Sequence, residues 1–218
     1  MSEIDLLVNY PKTQRKVEER GQEKTEEDRR IGRQFGREYF DGERRFGYGG
    51  YNYNSRFWEP VVPTFVDYYG LDEESSIFDV GCGKGFMLND FATALPGLTL
   101  KGIDISKYAI DNAIASMKSN VSVGNAKELP FEDGSFDLVI SINTVHNLPI
   151  EECKQALREI QRVSRRDAFI TVDAYRTPEE KKRMDAWNLT ALTYMHVDEW
   201  KALFKEVGYE GDFYWFIP

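Results

Sequence analysis

The sequence is poor in cysteine and histidine, with two of each among its 218 residues. Cys82 and Cys153 lie far apart and show no CxxC spacing, which favours free thiols in a reducing compartment over a disulfide framework. The two histidines and the two cysteines also lack the spacing of zinc ligands. We therefore predict a cytoplasmic protein without a bound metal.

Long apolar runs and a basic excess are also missing. No stretch approaches the roughly 20 consecutive apolar residues that a membrane span requires, and residues 1–10 lack the basic start and long apolar run of a secretory signal. The net charge is −9. Since nucleic-acid binding needs a basic surface, we expect a small-molecule substrate and neither a nucleic acid nor a membrane as partner.

Residues 1–70 are predicted to form an N-terminal extension and cap. Within them, residues 12–30 interleave acids and bases, which is typical of a solvated helix or a flexible lead. Ile31, Phe35 and Tyr39 recur at helical spacing and predict an amphipathic helix that docks on the body.

Residues 40–58, which we call the lid segment, mix glycine, tyrosine and arginine too densely for a regular strand or helix. We interpret this segment as a substrate lid, because tyrosines offer rigid stacking surface and arginines can clamp a carboxylate or phosphate. A purely structural cap is the alternative interpretation. The candidate substrate-binding residues in the lid segment are Tyr48, Tyr51, Tyr53, Arg56 and Trp58.

Residues 71–218 alternate short apolar strands with amphipathic helices. This rhythm predicts an α/β domain with a Rossmann-like, doubly wound and mostly parallel sheet. The last predicted strand, residues 211–217, shows no obvious further neighbour. Its edge is therefore expected to need cover or a homo-oligomer contact. The predicted strands cover residues 76–80, 98–105, 121–125, 136–143, 168–173 and 211–217.

A glycine-rich turn follows the first predicted strand at residues 79–85, Asp-Val-Gly-Cys-Gly-Lys-Gly. Glycines at such a turn let the backbone approach a ligand closely. The spacing differs from the G-x-G-x-x-G dinucleotide fingerprint and from a triphosphate-binding loop. Asp104 ends the second predicted strand, where a carboxylate can accept hydrogen bonds from both ribose hydroxyls of a nucleoside.

Four motifs in this order resemble the class I S-adenosylmethionine-dependent methyltransferases of the broad small-molecule type. They are the glycine loop, Asp104, residues 123–131 and residues 134–148. The resemblance implies S-adenosyl-L-methionine as cofactor. The cofactor-binding residues that it implies are Asp79, Gly81, Cys82, Gly83, Gly85, Asp104, Ile105, Asn125, Ala126 and Ser141.

The resemblance also assigns roles to these residues. The backbone of the glycine loop would hold the methionine end, with Asp79 supporting the loop, and Ile105 would pack beside adenine. Asn125 and Ala126 would read the adenine edge. The family more often has aspartate where this chain has Asn125, but an amide can also donate to and accept from adenine. Ser141 would face the reacting sulfonium.

Methyl transfer from a sulfonium is an in-line displacement, so a general base is needed only for a protonated acceptor. His146 is the candidate base, because a neutral imidazole can take a proton near pH 7; a role in shaping the pocket is the alternative. Asp173 ends the fifth predicted strand and is a candidate to face the acceptor.

We expect methyl transfer to a small polar, anionic metabolite, for example a sugar or a nucleotide-linked intermediate. Three alternatives stay open at this point. They are a protein or peptide methyltransferase, a non-catalytic cofactor-binding relative, and a transferase that uses a modified sulfonium.

Overall fold

One seven-stranded sheet organises the computed structural model, which describes residues 1–11 and 24–218. The strand order is β3-β2-β1-β4-β5, and β7 and β6 pair with successive stretches of β5. All of these strand pairs are parallel, so the predicted Rossmann-like, mostly parallel sheet is confirmed. The strands are β1 Ser76–Val80, β2 Thr99–Asp104, β3 Val121–Val123, β4 Phe136–Ile142, β5 Ser164–Tyr175, β6 Met195–His196 and β7 Asp212–Phe216.

The central strands are buried along their length because helices cover both faces of the sheet. Every residue of β1 is buried, and six of the seven residues of β4 are buried. Strands covered on two sides are expected to be continuously apolar rather than alternating. Two apolar clusters form the core, one around Trp200 and Phe204 and the other around Phe65 and Phe91.

Eight α-helices lie in the described part of the chain. The long helix α6 buries Cys153, Leu157 and Ile160, as its apolar stripe predicts. The helix predicted over residues 107–118 is shorter: it ends at Asp111 and is followed by the 3-10 turn Ala115–Met117. The helices are α1 Glu26–Gly32, α2 Arg37–Asp41, α3 Val62–Tyr69, α4 Phe86–Ala94, α5 Lys107–Asp111, α6 Ile150–Val163, α7 Pro178–Trp187 and α8 Val197–Val207.

The prediction of one amphipathic helix through Ile31, Phe35 and Tyr39 is wrong. The chain leaves the helix after α1, and Phe35 adopts a left-handed φ of 48° before α2 begins. A left-handed residue cannot continue a right-handed helix. Most of the polar run at residues 12–30, namely residues 12–23, lies outside the described residues. The division of the chain at residue 70 stays a prediction.

The outer edge of β7 is covered by the start of the same chain. Glu3 pairs in parallel with Phe213, the N–H of Ile4 donates to the carbonyl of Phe213 at 3.0 Å, and the N–H of Phe213 donates to the carbonyl of Ser2 at 3.0 Å. The expected need for cover is therefore met within the chain at this position. An oligomer contact is not required there.

No helix among residues 1–11 and 24–218 combines the length and the apolarity that a bilayer crossing demands. Both cysteines are buried and free, as their spacing predicts.

Candidate functional site

Two adjoining cavities lie at the carboxyl ends of the strands, where parallel α/β sheets bind ligands. The small cavity has a volume of about 270 Å³ and lies beside β1 and β2. The large cavity, of about 1120 Å³, extends across β4, β5 and β7 to the lid segment. Six residues line both cavities and form what we call the junction: Tyr39, Tyr48, Tyr51, Gly81, Ile142 and Asn143.

The glycine loop forms one wall of the small cavity. Gly81 and Gly83 line it with left-handed φ angles of 93° and 56°. A Cβ on Gly81 would lie 2.1 Å from Oγ1 of Thr144, and one on Gly83 would lie 3.2 Å from the ring of Tyr51. The loop therefore requires glycine at both positions, and it brings bare backbone to the cavity wall.

Asp104 lies at the end of β2 and faces the same cavity. Its Oδ2 accepts from the N–H of Gly83 at 2.8 Å, and its Oδ1 accepts from the N–H of Ser106 at 2.8 Å. Each carboxylate oxygen has further acceptor capacity, so the pair can also accept from a ribose diol. Burial raises the pKa of Asp104, while the two backbone N–H groups act in the opposite direction.

The far end of the small cavity combines apolar and amide groups. Ile105, Asn125 and Ala126 line it, as the resemblance implies. Asn147 also lines it, and its buried Oδ1 has no hydrogen-bond partner among the described residues. An unpaired buried acceptor is costly, so this atom fits a ligand amine such as that of adenine. Sequence reasoning missed Asn147, although it lies within the recognised stretch 134–148.

Two residues implied by the resemblance do not reach either cavity. Ser141 is fully buried, and its hydroxyl donates to the carbonyl of Val80 at 2.9 Å. Its predicted position opposite the sulfonium is therefore corrected, because Ile142 and Asn143 occupy that part of the wall. Gly85 precedes α4 with a φ of 78° and shapes the loop from outside the cavities.

Asp79 and Cys82 line the large cavity rather than the small one. Burial, reinforced by the nearby Asp104 carboxylate, raises the pKa of Asp79 to about 8. Burial also raises the pKa of the Cys82 thiol well above its ordinary value. A buried carboxyl of this kind is stabilised in its charged form by a cation, and the α-ammonium of a methionine moiety would supply one.

His146 is buried beside Asp173 at the wall of the large cavity. The backbone N–H of Asp173 donates to Nδ1 of His146 at 2.9 Å. Nδ1 is therefore the unprotonated nitrogen, and in the neutral ring Nε2 carries the hydrogen. Burial lowers the pKa of His146 despite the Asp173 carboxylate. The geometry thus makes His146 a hydrogen-bond donor, which favours the alternative role of shaping the pocket.

The lid segment contributes unequally to the cavities. Tyr48 and Tyr51 line both, whereas Arg56 and Trp58 line the large cavity alone. Tyr53 lines neither, because its hydroxyl donates to Asp90 on α4. The structure thus brings four of the five candidate lid residues to the cavities and leaves Tyr53 outside.

Comparisons with known proteins agree with this geometry. Residues 78–172 match the model of the methyltransferase domain family. A Haemophilus influenzae protein is 30% identical over 156 residues, which cover 65% of this chain and 61% of that protein. The tRNA (carboxymethyluridine(34)-5-O)-methyltransferase of Arabidopsis thaliana is 29% identical over 143 residues, covering 65% of this chain and 33% of that enzyme.

The fold has solved relatives as well. The crystal structure of the YcgJ protein of Bacillus subtilis superposes with a TM-score of 0.55 at 21% identity, covering 67% of this chain and 66% of that one. This chain therefore spans less than two thirds of several relatives that it matches. The matched stretch shows that residues 78–172 are similar to the methyltransferase domain family, and the solved relative shares the fold of this chain.

Proposed function

We propose that this chain binds S-adenosyl-L-methionine and transfers its methyl group to a small polar, anionic metabolite, for example a sugar or a nucleotide-linked intermediate. When bound, the cofactor supplies a methyl group on a positively charged sulfur. The chain contributes binding, alignment and exclusion of water, which are the main requirements of such a displacement.

The residues of the small cavity fit this cofactor. The glycine loop offers bare backbone for the methionine end, Asp104 offers two oxygens for the ribose, and the unpartnered Oδ1 of Asn147 offers an acceptor for the adenine amine. Asp79 lies next to the loop and would pair with the ammonium group. The junction would then hold the sulfonium between the two cavities.

An unequal distribution of arginine carries the anionic part of the proposal. Thirteen arginines lie in the described part of the chain, and eight of them form an ion pair with a described carboxylate. The other five are Arg33, Arg44, Arg56, Arg158 and Arg183.

Four of these five arginines line a cavity, Arg33 the small one and Arg44, Arg56 and Arg183 the large one. In a protein of net charge −9, guanidinium groups without a carboxylate partner among the described residues are concentrated where a ligand would bind. Such groups recognise carboxylates and phosphates. The size of the large cavity, about 1120 Å³, suits a metabolite.

Isothermal titration calorimetry with S-adenosylmethionine and with its demethylated product tests the cofactor assignment. We expect both to bind below about 1 mM, the weak end of ordinary affinities. Absence of binding by both would contradict the proposal. Transfer of a labelled methyl group to a small-molecule extract, but not to the macromolecular fraction, tests the acceptor class.

A further inference from the structure

Among residues 1–11 and 24–218, the junction contains no group that can remove a proton from an acceptor. Its side chains are those of Tyr39, Tyr48, Tyr51, Ile142 and Asn143. Burial raises the pKa of Tyr39 to about 12. The adjacent Tyr39 phenol raises the pKa of Tyr48, and burial raises that of Tyr51, both well above the ordinary value. These hydroxyls keep their protons at neutral pH and act as donors.

Asn143 is held so that it presents a donor as well. It adopts a left-handed φ of 53°, a conformation that asparagine takes more readily than other non-glycine residues. Its N–H donates to Oγ1 of Thr171, and the Thr171 hydroxyl donates back to Oδ1 of Asn143, both at 2.9 Å. The amide nitrogen Nδ2 therefore has no hydrogen bond to a described residue, and it belongs to a side chain that lines both cavities.

His146 adds a donor beside the junction, since Nδ1 is occupied by the N–H of Asp173 and Nε2 carries the hydrogen. The other ionisable groups of the large cavity lie outside the junction. Its three side-chain carboxylates from the described residues, Asp5, Asp79 and Asp173, line the large cavity but not the junction. The remaining ionisable groups that line it outside the junction are Tyr10, Tyr214, Cys82, Lys24, Arg44, Arg45, Arg56 and Arg183.

From this arrangement we infer that the acceptor atom is an oxygen of a carboxylate, which arrives already ionised and is oriented by the donors of Asn143 and His146. This inference rests on the proposed function and narrows its substrate class. His146 is then a positioning residue, and no general base takes part.

The step balances without a proton. An acceptor carboxylate oxygen forms a bond to the methyl carbon, the carbon–sulfur bond breaks, and the electron pair of that bond stays on sulfur. The products are a neutral methyl ester and a neutral thioether. Among common acceptors, an alcohol would have to lose a proton, and a protonated amine would be repelled by the arginines of the large cavity.

The chemical stability of the product tests the inference. A metabolite extract is separated on an anion-exchange resin into bound and unbound fractions, and each is incubated with the protein and tritium-labelled S-adenosylmethionine. We expect label from the bound fraction, released as volatile methanol in mild alkali, since carboxylate methyl esters hydrolyse there.

Three results would overturn the inference: label from the unbound fraction alone, label that resists alkali as in an ether, amine or phosphate ester, or no label while the cofactor still binds. Calorimetric binding of the cofactor is measured on the same sample. A failure of the proposed function would appear as lost cofactor binding, so the two failures are distinguishable.

Asn143→Asp distinguishes an acceptor that arrives ionised from one that needs a general base, because the two mechanisms predict opposite changes in the rate of methyl transfer. The variant keeps the oxygen that accepts from Thr171 and replaces the donor by a carboxylate at the junction. With an ionised acceptor we expect at least a tenfold loss of methyl transfer with cofactor affinity within threefold. A gain in rate would reveal that a base was missing, and an unchanged rate would show that Asn143 does not contact the acceptor; both contradict the inference.

Asn112→Asp is the matched control, because Asn112 is exposed, lines neither cavity, and the change adds the same charge. It should alter the rate less than threefold. The ¹⁵N NMR signals of His146 give a readout that does not depend on the acceptor. They should show hydrogen on Nε2 from pH 6 to 8, and hydrogen on Nδ1 would contradict the donor role.

Discussion

Nζ of Lys84 lies 2.7 Å from Oδ2 of Asp41, which joins the glycine loop to the lid segment. Lys84 also donates to the carbonyl of Tyr51 at 2.8 Å, and Asp41 also accepts from the N–H of Tyr51 at 2.9 Å and from the hydroxyl of Tyr108 at 2.7 Å. Burial raises the pKa of Asp41, but the hydrogen bonds from Lys84, Tyr51 and Tyr108 outweigh it and hold that pKa below its ordinary value. The position of Tyr51 at the junction thus depends on this ion pair.

Replacing Lys84 by methionine should therefore affect both stability and binding. We expect a loss of roughly 2–4 kcal/mol in the free energy of unfolding, because removal of one partner leaves a partly buried carboxylate uncompensated. Lys107→Met is the control, since Lys107 pairs with Asp111 in the open and should cost about 0.5 kcal/mol or less. Urea unfolding measures the free energy of unfolding of both variants. Equal losses in Lys84→Met and Lys107→Met would contradict the special role of Lys84.

The Asp104 carboxylate gives a direct test of the ribose assignment. Asp104→Ala should weaken binding of S-adenosylmethionine by about 1–3 kcal/mol, the usual cost of losing hydrogen bonds to a charged group. Calorimetry at fixed pH measures the change. The exposed Asp111→Ala on α5 serves as control, and an unchanged affinity in Asp104→Ala would show that the ribose lies elsewhere.

Asp79 predicts a pH-dependent stability of the unliganded protein. Its pKa is about 8 in the folded state against an ordinary value of 3.8, so the folded state binds more protons between these values. The free energy of unfolding should therefore fall as pH rises from 5 to 8, with a contribution of at most about 1.4 kcal/mol per pH unit. Asp79→Asn should remove this contribution. Parallel unfolding curves of variant and parent across the pH range would contradict it.

The glycine loop can be probed by a pair of alanine substitutions. Gly83 and Gly208 both have left-handed φ angles, 56° and 72°, so each alanine should cost roughly 1 kcal/mol in conformational strain. A Cβ at Gly208 meets nothing within 4 Å, whereas one at Gly83 approaches the Tyr51 ring. Only Gly83→Ala should weaken cofactor binding, at least fivefold by calorimetry. Equal affinities in both variants would remove the loop from the binding site.

The amino-acid sequence predicts the sheet and most of the small cavity, because buried strands, a glycine turn and a carboxylate at a strand end are local signals. It does not predict the roles of Asn143 and His146. The role of Asn143 depends on a hydrogen bond from Thr171, and that of His146 on a hydrogen bond from Asp173, both on β5. These partners are far apart in the chain, so the sequence gives no local signal of the pairing. The sequence does not reveal that Ser141 faces away from the cavity, because adjacent residues of a strand point to opposite faces and its hydroxyl is directed toward Val80.

The pairing of residues 2–4 with β7 has a consequence for the order of folding. Ser2 and Asp212 are joined by a hydrogen bond across 210 positions of the chain. During synthesis, which proceeds from the N-terminus at about 5–20 residues per second, residues 2–4 must wait for β7 before they gain their partners. The leading segment, which also carries Asp5, Leu7 and Tyr10 to the large cavity, is therefore expected to settle late, so that the wall of the large cavity is completed only after the rest of the sheet has formed.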